Sequence, residues 1–463
     1  WFPWGEKAAT FSISTLSEVR WFISGCFAIV MAAPGCAQIS GVDDLAFDRK
    51  RDAGMASDAP ADADDHDEFD TQEQFDGPTE EDGPSPDVDV PDGPSGTPYF
   101  GELKLRCKLI NGKSRQDPTA NNTHYRANLS GSSLGISVVQ DNQLFLFFGD
   151  TLGAEKIWQS STSLPDAVGY AAVDFASVAD DPDLLCTELR FLLSGDKTGN
   201  VEGDFAGARM KAPAGSSLKE FIHNPAGPLN YAMQPDMPGT LEVPSGAFSH
   251  DGSIYLFYTI VSTITLQVGG SYLAKWETPS TTGDPTYQIL YHVDQRFTSN
   301  GPLGGNFINI APLVEGEYVY LFGTGKYRNS PVYLARKRLS ELAEEGGFEA
   351  YDPAMSSWVE AGTPTAPVVA MPSIGELSVQ YFPEIQRYVM IDQEVNAGNR
   401  IVARFAEKPQ GPFSNAVTMA VMEDPAFEKK YCCDAKECVG DKIIQCDQAG
   451  FFGVYLLPTV TVH

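Results

Sequence analysis

Four segments of the chain repeat one plan, in which a short apolar stretch, a tight polar turn and a stretch of aromatic and branched residues follow one another. They are residues 136–148, 247–258, 310–322 and 377–391. Asp-Asn, Asp-Gly and Glu-Gly at three of the turns are typical of hairpin turns whose central residues need positive φ. Each segment is therefore predicted to be a β-hairpin.

The spacing of these hairpins indicates repeated four-stranded units. Their turns lie at residues 141, 251, 315 and 383, and the last two intervals fit one propeller blade each, with loops. The longer first interval contains an excursion at 197–230. A strand at 451–462, closed by an early strand at 99–110, predicts a further blade.

We therefore predict an all-β chain folded as a five-bladed β-propeller over residues 98–463. One candidate helix, at 339–345, is too short to indicate an α/β architecture. A pair of β-sandwiches is the alternative.

The first 36 residues have the pattern of a targeting segment. Arg20 is followed by an apolar stretch at 21–33 that is too short to span a bilayer. Small residues at 33–35 then precede Cys36, which predicts a lipoprotein leader over 1–36 with lipid on Cys36. The protein is then expected to be exported and lipid-anchored at the outer membrane or cell surface. The alternative is an ordinary cleaved leader with Cys36 as an incidental thiol.

Residues 37–97 are rich in Asp, Glu, Pro, Gly and Ser, and they carry much of the formal net charge of -30. Such a stretch buries too little apolar surface to offset the entropy of ordering, so it is predicted to be a disordered acidic linker. Its charge indicates solvation of the linker and argues against a nucleic-acid partner.

The chain contains eight cysteines. Setting aside Cys26 and Cys36 in the leader leaves an even number, which favours disulfides in an exported protein. Their pairing is open at this point. A zinc site formed by Cys432, Cys433, Cys438 and Cys446 is the alternative.

Several motifs that follow one another along the chain carry a resemblance to a known family. They are 146–151 (Leu-Phe-Phe-Gly-Asp-Thr), 322–328 (Phe-Gly-Thr-Gly-Lys-Tyr-Arg), 332–336 (Val-Tyr-Leu-Ala-Arg), 374–379 (Ile-Gly-Glu-Leu-Ser-Val), 401–406 (Ile-Val-Ala-Arg-Phe-Ala) and 411–414 (Gly-Pro-Phe-Ser). Together they resemble the domain-of-unknown-function family DUF4185 over most of 131–458.

The resemblance implies a five-bladed propeller similar to furanoside-cleaving glycoside hydrolases. Some members are endo-D-arabinanases of glycoside hydrolase family 183 that act on mycobacterial cell-wall arabinan. The sequence departs from the family at 132–135, where Ser-Ser-Leu-Gly stands in place of Thr-Asp-Leu-Gly. Ser133 thus occupies the position of an expected carboxylate.

Glycosidic-bond cleavage normally uses two carboxyl groups, one that gives a proton and one that acts as base or nucleophile. Glu376, Asp150 and Glu242 are the candidates, because each lies where an inner strand could point into a propeller funnel. Glu376 is predicted to be the acid. The structural alternatives are a turn-capping role for Glu376, backbone contacts for Asp150 and a plain loop position for Glu242.

Trp158, Tyr327, Arg328 and Asn306 are the candidate substrate-binding residues, because sugars stack on aromatic rings and offer hydroxyl groups to a guanidinium. Blade packing is the alternative for each. Asp392 and Glu394 are expected to be solvated loop charges, and His250 a turn residue.

No cofactor and no metal are expected. The sequence predicts an envelope-anchored, monomeric glycoside hydrolase acting on an arabinofuranosyl-containing polysaccharide. The alternative is a catalytically impaired propeller that binds glycan or acts as a scaffold.

Overall fold

The fold is known from a computed structural model. It describes residues 9–13, 27–32, 103–110, 121–153, 165–197, 199–213, 241–261, 269–296, 300–433, 442, 444 and 452–458. The strands, in chain order, are β1 (Ala9–Ile13), β2 (Phe27–Ala32), β3 (Leu103–Lys108), β4 (Leu129–Gln140), β5 (Gln143–Gly153), β6 (Ala167–Ala171), β7 (Leu189–Phe191), β8 (Arg209–Lys211), β9 (Leu241–His250), β10 (Ser253–Val261), β11 (Gly269–Trp276), β12 (Thr286–Arg296), β13 (Asn309–Glu315), β14 (Tyr318–Thr324), β15 (Ser330–Arg338), β16 (Glu349–Asp352), β17 (Ser357–Glu360), β18 (Val369–Phe382), β19 (Arg387–Glu394), β20 (Arg400–Ala406), β21 (Val417–Val421) and β22 (Phe452–Leu456). The short helices are α1 (Thr123–Ala127), α2 (Phe175–Asp180), α3 (Leu185–Glu188) and α4 (Pro425–Tyr431).

The four predicted hairpins are confirmed. They are the antiparallel pairs β4–β5, β9–β10, β13–β14 and β18–β19. Asp141 and Asn142 in the first turn have φ of 50° and 61°, and Asp251 and Gly252 in the second have 47° and 73°. These left-handed turn residues match the right-handed twist of the flanking strands.

The strands assemble into meandering sheets, which we number as blades. Blade 1 is β4-β5-β6-β7, and blade 2 is β9-β10-β11-β12 with β8 added at its edge. Blades 3 and 4 share one nine-stranded sheet, in which the pairing of β15 with β18 joins β13 to β17 with β18 to β21. Blade 5 has the order β22-β2-β1-β3.

The first strands of the blades contact one another in a closed cycle, β4 to β9 to β13 to β18 to β22 and back to β4. The buried apolar side chains form five clusters, each shared by two successive blades. Members from each pair of blades are Phe147 and Ile254, Phe257 and Val319, Phe322 and Val379, Phe405 and Val454, and Leu144 and Leu457. This is how a sheet buried on both faces packs in a propeller, so the all-β propeller prediction is confirmed.

Two local predictions differ from the structure. The candidate helix at 339–345 is only a 3-10 turn over Leu339–Glu341. So short a stretch forms too few hydrogen bonds to offset the free-energy cost of helix nucleation, and Gly346 and Gly347 follow it in left-handed conformations. The segment predicted as an excursion at 197–230 contains β8, which lies at the edge of blade 2. Its β8 pairs in parallel with the start of β12, and the part from 214 onward lies outside the described residues.

Blade 5 contains the early strand, but not as predicted. β3 lies at the outer edge of the sheet, and β1 and β2 stand between it and β22. These two strands come from the segment predicted to be a leader, and a cleaved leader could not contribute them. The leader, Cys36 and the linker at 37–97 otherwise lie outside the described residues, so lipidation stays a prediction. No helix within the described part of the chain is long and apolar enough to cross a bilayer.

The prediction of disulfides is confirmed at Cys107, which is bonded to Cys186 with a Cα–Cα distance of 5.8 Å. The bond ties β3 to α3, and therefore blade 5 to the helical segment between β6 and β7 of blade 1. Cys432 and Cys433 are also disulfide-bonded. The zinc alternative for the C-terminal cysteines is therefore wrong, because these sulfur atoms are already in covalent bonds.

Gly246 lies where β9 and β13 approach each other closely. A Cβ at this position would stand 2.2 Å from Pro312 Cδ and 2.4 Å from the carbonyl oxygen of Ile310. The backbone around Ile310 cannot move far enough to relieve this clash. Gly246→Ala is therefore expected to lower the free energy of unfolding by about 1–3 kcal/mol. Urea unfolding would measure this. Gly375→Ala is the control, since its Cβ would meet nothing closer than 3.4 Å; equal stability of the two variants would contradict the prediction.

Candidate functional site

Polar and charged side chains gather at one end of the propeller, where each first strand begins and each second strand ends. We call this the entrance end. Register pairs such as Leu129 with Gly153 and Asn309 with Thr324 mark it. Val243 of blade 2 and Leu134 of blade 1 both lie against Gly149, so the strands of neighbouring blades meet there at one level.

Three carboxyl groups meet between blades 1 and 2, and we call them the acidic cluster: Asp150, Asp166 and Glu242. Asp150 lies near the end of β5, Asp166 directly before β6, and Glu242 is the second residue of β9. Their exposed fractions are 6%, 2% and 2%. The Asp150 backbone N–H donates to Asp166 Oδ1 at 3.1 Å. Two of the three predicted catalytic residues are thus brought together, with a third carboxyl group that the sequence did not single out.

Burial raises the pKa of Asp166 well above its usual range, and the charges of Asp150 and Glu242 raise it further. Hydrogen bonds from the Asp150 backbone and from Tyr258 act in the opposite direction but do not reverse the shift. Like charges in one buried site cannot all ionise at little cost. The cluster therefore retains a proton at a pH at which an exposed aspartate has lost its own.

Three buried tyrosines of blade 2 surround the acidic cluster: Tyr258, Tyr272 and Tyr287. The rings of Tyr258 and Tyr272 are stacked with centroids 5.7 Å apart. Burial raises the pKa of each of the three hydroxyls, and the charge of Asp166 contributes in every case. The aromatic surroundings give the cluster a low local dielectric, which strengthens each of its electrostatic interactions.

Ser133, which stands where the resembled family has aspartate, is buried on β4. Its hydroxyl donates to the carbonyl oxygen of Gly149 at 3.1 Å. The next residue, Leu134, has φ of 67°, a conformation that a side chain of its size seldom adopts. Asp150, opposite, has φ of 46°. Blade 1 is therefore strained where it borders the acidic cluster, as residues at functional sites often are.

Glu376 and Arg328 form a second charged group at the entrance end. Arg328 Nη2 donates to Glu376 Oε2 at 2.8 Å and Arg328 Nε to Oε1 at 3.3 Å. Arg328 belongs to the loop after β14 and has φ of 51°, which aims its side chain across to blade 4. The Tyr327 ring lies 5.2 Å from its guanidinium carbon. The predicted Glu376, Arg328 and Tyr327 are thus neighbours.

Tyr455 of blade 5 connects the two groups. Burial raises the pKa of its hydroxyl, and the charge of Glu376 adds to this while Arg328 opposes it. Next to it, a Cβ at Gly453 would lie 3.3 Å from Leu134 Cδ2, and Leu134 also borders Gly149 beside Asp150. Blades 1, 2, 4 and 5 therefore all contribute to one region around the axis.

Asn306 also belongs to the entrance end, in the loop before β13. Asp294 holds this loop, because its carboxylate accepts from the backbone N–H groups of Leu303 and Phe307 at 3.3 and 3.0 Å. Asn306 is half-buried and packs against Gly325, three residues before Arg328. Trp158 lies outside the described residues. His250 ends β9 beside the hairpin turn at the opposite end, as predicted.

The prediction that Asp392 and Glu394 are solvated loop charges is wrong. Both lie on β19 with exposed fractions of 0% and 1%. Arg404 on the neighbouring β20 donates to Asp392 Oδ2 at 2.9 Å and to Glu394, and Arg400 also pairs with Glu394. Burial raises the pKa of Asp392 to about 6, against the opposing effect of Arg404. We call these four residues the buried ion network.

Asp166 and Tyr455 are the site residues that the sequence did not reveal. Asp166 follows Pro165 at the start of an ordinary apolar strand, and Tyr455 stands in a short strand without polar neighbours. Neither position has a local pattern that points to chemistry. Within the part of the chain that the structure describes, no group of three or more His, Cys, Asp or Glu could hold a metal ion.

Comparison with known proteins gives one family and several distant structures. The model of a family described as Domain of unknown function (DUF4185) matches residues 119–462. None of the curated proteins matches the chain.

Among solved structures, a protein from Bacteroides ovatus is 14% identical with a TM-score of 0.42, over 64% of this chain and 72% of that one. An exo-beta-1,3-galactanase from Phanerochaete chrysosporium is 12% identical with a TM-score of 0.35, over 62% of this chain and 51% of that one. An exo-1,5-alpha-L-arabinanase from a bovine ruminal metagenomic library is 11% identical with a TM-score of 0.34, over 63% and 76%. At these identities the matches transfer no activity to this chain.

Proposed function

The chain belongs to the DUF4185 family, and from the carboxyl groups at its entrance end we propose that it is a glycoside hydrolase acting on an arabinofuranosyl-containing polysaccharide. The observation that carries the proposal is the acidic cluster, in which three buried carboxyl groups lie together and burial and like charges raise the pKa of one of them, Asp166. Glycosidic-bond cleavage needs one protonated and one ionised carboxyl group.

The acidic cluster supplies the proton. Asp150 is the most exposed of its three carboxyl groups, and Asp166 and Glu242 behind it disfavour a further negative charge. A carboxyl group whose ionised form is disfavoured by its neighbours is suited to donate a proton to a leaving oxygen. We assign Asp150 as the general acid and Glu242 as its electrostatic partner.

Glu376 supplies the ionised carboxylate. Its two hydrogen bonds from Arg328 are charge-assisted and satisfy both oxygens of a carboxylate, which suits a base or nucleophile better than a proton donor. This reverses the acid role predicted for Glu376 from the sequence. Tyr327, Arg328 and Asn306, which line the same end, are proposed to contact the sugar.

We also propose that the protein is exported and held at the outer membrane or cell surface by lipid on Cys36; cleavage before Cys36 would then remove β1 and β2 from blade 5 of the anchored form. A polysaccharide substrate of the envelope would then lie within reach of the anchored domain. Intact-mass measurement of the membrane-associated protein would test this, since diacylglycerol on Cys36 adds a defined mass.

A second candidate function is glycan binding without catalysis, and Ser133 favours it. If the aspartate that the resembled family has at this position is catalytic, its loss would cost about 10²–10⁴ in rate. Ser133 instead hydrogen-bonds to Gly149 and offers no carboxyl group.

Incubation of the full chain with mycobacterial arabinogalactan and with plant L-arabinan, followed by analysis of released oligosaccharides, tests the proposal. Release is expected from one polymer, and Asp150→Asn is expected to lower the rate about 10²–10⁴-fold. Asp251→Asn is the matched control, because Asp251 has nearly the same φ, 47°, but is exposed in the turn at the opposite end. Retention on a polymer affinity gel without release would support the binding function instead.

A further inference from the structure

The peptide group between Gly149 and Asp150 is held from both sides. Its carbonyl oxygen accepts hydrogen bonds from the hydroxyls of Ser132 at 2.8 Å and Ser133 at 3.1 Å. Its N–H donates to Asp166 Oδ1 at 3.1 Å. All these side chains are buried, with exposed fractions of 5% or less. Both polar atoms of one peptide group therefore form hydrogen bonds with buried side chains.

These contacts act on a residue in an uncommon conformation. Asp150 has φ of 46°, which costs about 1–3 kcal/mol for a residue other than glycine and persists only where the surroundings enforce it. The strand register shifts between Gly131 and Ser133 and again between Leu134 and Ile136, so Asp150 lies at an irregular part of the ladder. The side-chain contacts add to the ladder in holding this conformation, and the direction of the Asp150 carboxyl group follows from it.

We infer that Asp166, together with Ser132 and Ser133, is a positioning device that fixes the Gly149–Asp150 peptide and so aims the Asp150 carboxyl group at the reaction centre. Asp166 is thus a positioning residue and not the proton donor. This inference rests on the proposed function for its kinetic consequence, but the geometry of the peptide can be tested without a substrate.

Ser133 has a defined task in this arrangement. Its hydroxyl is the second donor to the carbonyl oxygen of Gly149, beside the hydroxyl of Ser132. The Ser132 hydroxyl also lies 2.8 Å from the Thr151 hydroxyl. The Thr151 hydroxyl in turn accepts from the N–H of Ala167, next to Asp166. The serine and aspartate sides of the device are therefore connected through Thr151.

The charges around Asp166 make the device depend on pH. Asp150 on β5 and Glu242 on β9 are the carboxyl groups that face it, and the hydroxyls of Tyr258, Tyr272 and Tyr287 face it from β10, β11 and β12. Ionisation of Asp166 would place negative charge beside both carboxyl groups, and they would repel it. Activity of the wild type is therefore expected to fall on the alkaline side as Asp166 loses its proton.

Two variants of Asp166 separate positioning from proton transfer. Asp166→Asn keeps an oxygen that accepts from the Asp150 N–H but cannot ionise. It is expected to keep a kcat well above that of Asp166→Ala and to shift or lose the alkaline limb of the pH profile. Asp166→Ala loses the acceptor, and its kcat is expected to fall about 10²-fold with little change in KM, as for a misplaced catalytic group.

Hydrogen exchange at the Asp150 amide provides the readout that needs no substrate. Protection of this amide is expected in the wild type and in Asp166→Asn, and to be lost in Asp166→Ala. Ser133→Ala serves as a second variant should Asp166→Ala fail to fold, and a partial loss of protection is expected from it. Absence of any activity in the wild type, with these exchange results intact, would overturn the proposed function and leave the peptide geometry established.

Equal protection in the wild type and in both Ala variants would overturn the inference. So would a kcat for Asp166→Asn as low as that of Asp166→Ala, since a proton-transferring Asp166 predicts this result and a positioning Asp166 does not.

Discussion

Replacing Arg404 by Met is expected to lower the free energy of unfolding by about 3–5 kcal/mol, the loss typical of a buried ion pair that keeps one partner. Arg404 is the central cation of the buried ion network. Its Nε donates to Asp392 at 2.9 Å, its Nη2 contacts Glu394, and its side chain is 9% exposed. The variant leaves Asp392 buried beside a methionine, with Arg400 directed to Glu394.

Arg338→Met is the matched control for this measurement. Arg338 also lies on a strand and pairs with a glutamate, but its side chain is 47% exposed and that of Glu317 is 81% exposed. Exposed pairs contribute about 0–1 kcal/mol, so this variant is expected to unfold almost as the wild type does. Urea unfolding of both variants would decide the matter. If Arg404→Met lowered the free energy of unfolding no more than Arg338→Met does, Asp392 would be neutral in its buried position and would need no cation beside it.

The buried ion network also shows what a local reading of the sequence leaves out. Asp392 and Glu394 end an apolar stretch and resemble the first charges of a loop. Their burial depends on Arg400 and Arg404, which the register of β19 and β20 places opposite Glu394 and beside Asp392. Only the pairing of these two strands reveals that the four charges belong together.

The hairpins could be predicted because their information is local. Asp141-Asn142 and Asp251-Gly252 specify the turn conformation, and the alternating apolar residues on either side specify the strands. The propeller followed from the spacing of the hairpins. The placement of β1 and β2 beside β22 could not follow in this way, because it depends on contacts between residues hundreds of positions apart.

The sequence predicted the carboxyl groups of the candidate site that lie on the first strands of blades. It did not predict the residues that these groups contact in the folded protein. Glu242 and Glu376 were found because each precedes or begins an apolar strand. Asp166 was missed, since it acts on Asp150 through a backbone N–H that no sequence pattern encodes. The pairing of Arg328 with Glu376 joins two blades and depends equally on the tertiary fold.

Glu376→Gln is expected to lower kcat on the polysaccharide that the wild type cleaves by about 10²–10⁴-fold, because the amide keeps the shape of the side chain but cannot act as base or nucleophile. KM is expected to change little. Glu384→Gln is the control, since Glu384 is an exposed glutamate in the turn after the same strand. Thermal unfolding of both variants would show that the fold is retained.

The role of Arg328 follows from the same pair. Arg328→Lys keeps the positive charge but not the two parallel contacts at 2.8 and 3.3 Å, so it is expected to weaken the orientation of the carboxylate. Its kcat is expected to fall below that of the wild type, but less than the kcat of Glu376→Gln does, because the carboxylate is kept and only its orientation is loosened. Steady-state kinetics of the two variants on the same polysaccharide would measure this. A kcat of Arg328→Lys equal to that of the wild type would show that the paired contacts do not orient Glu376 for the reaction.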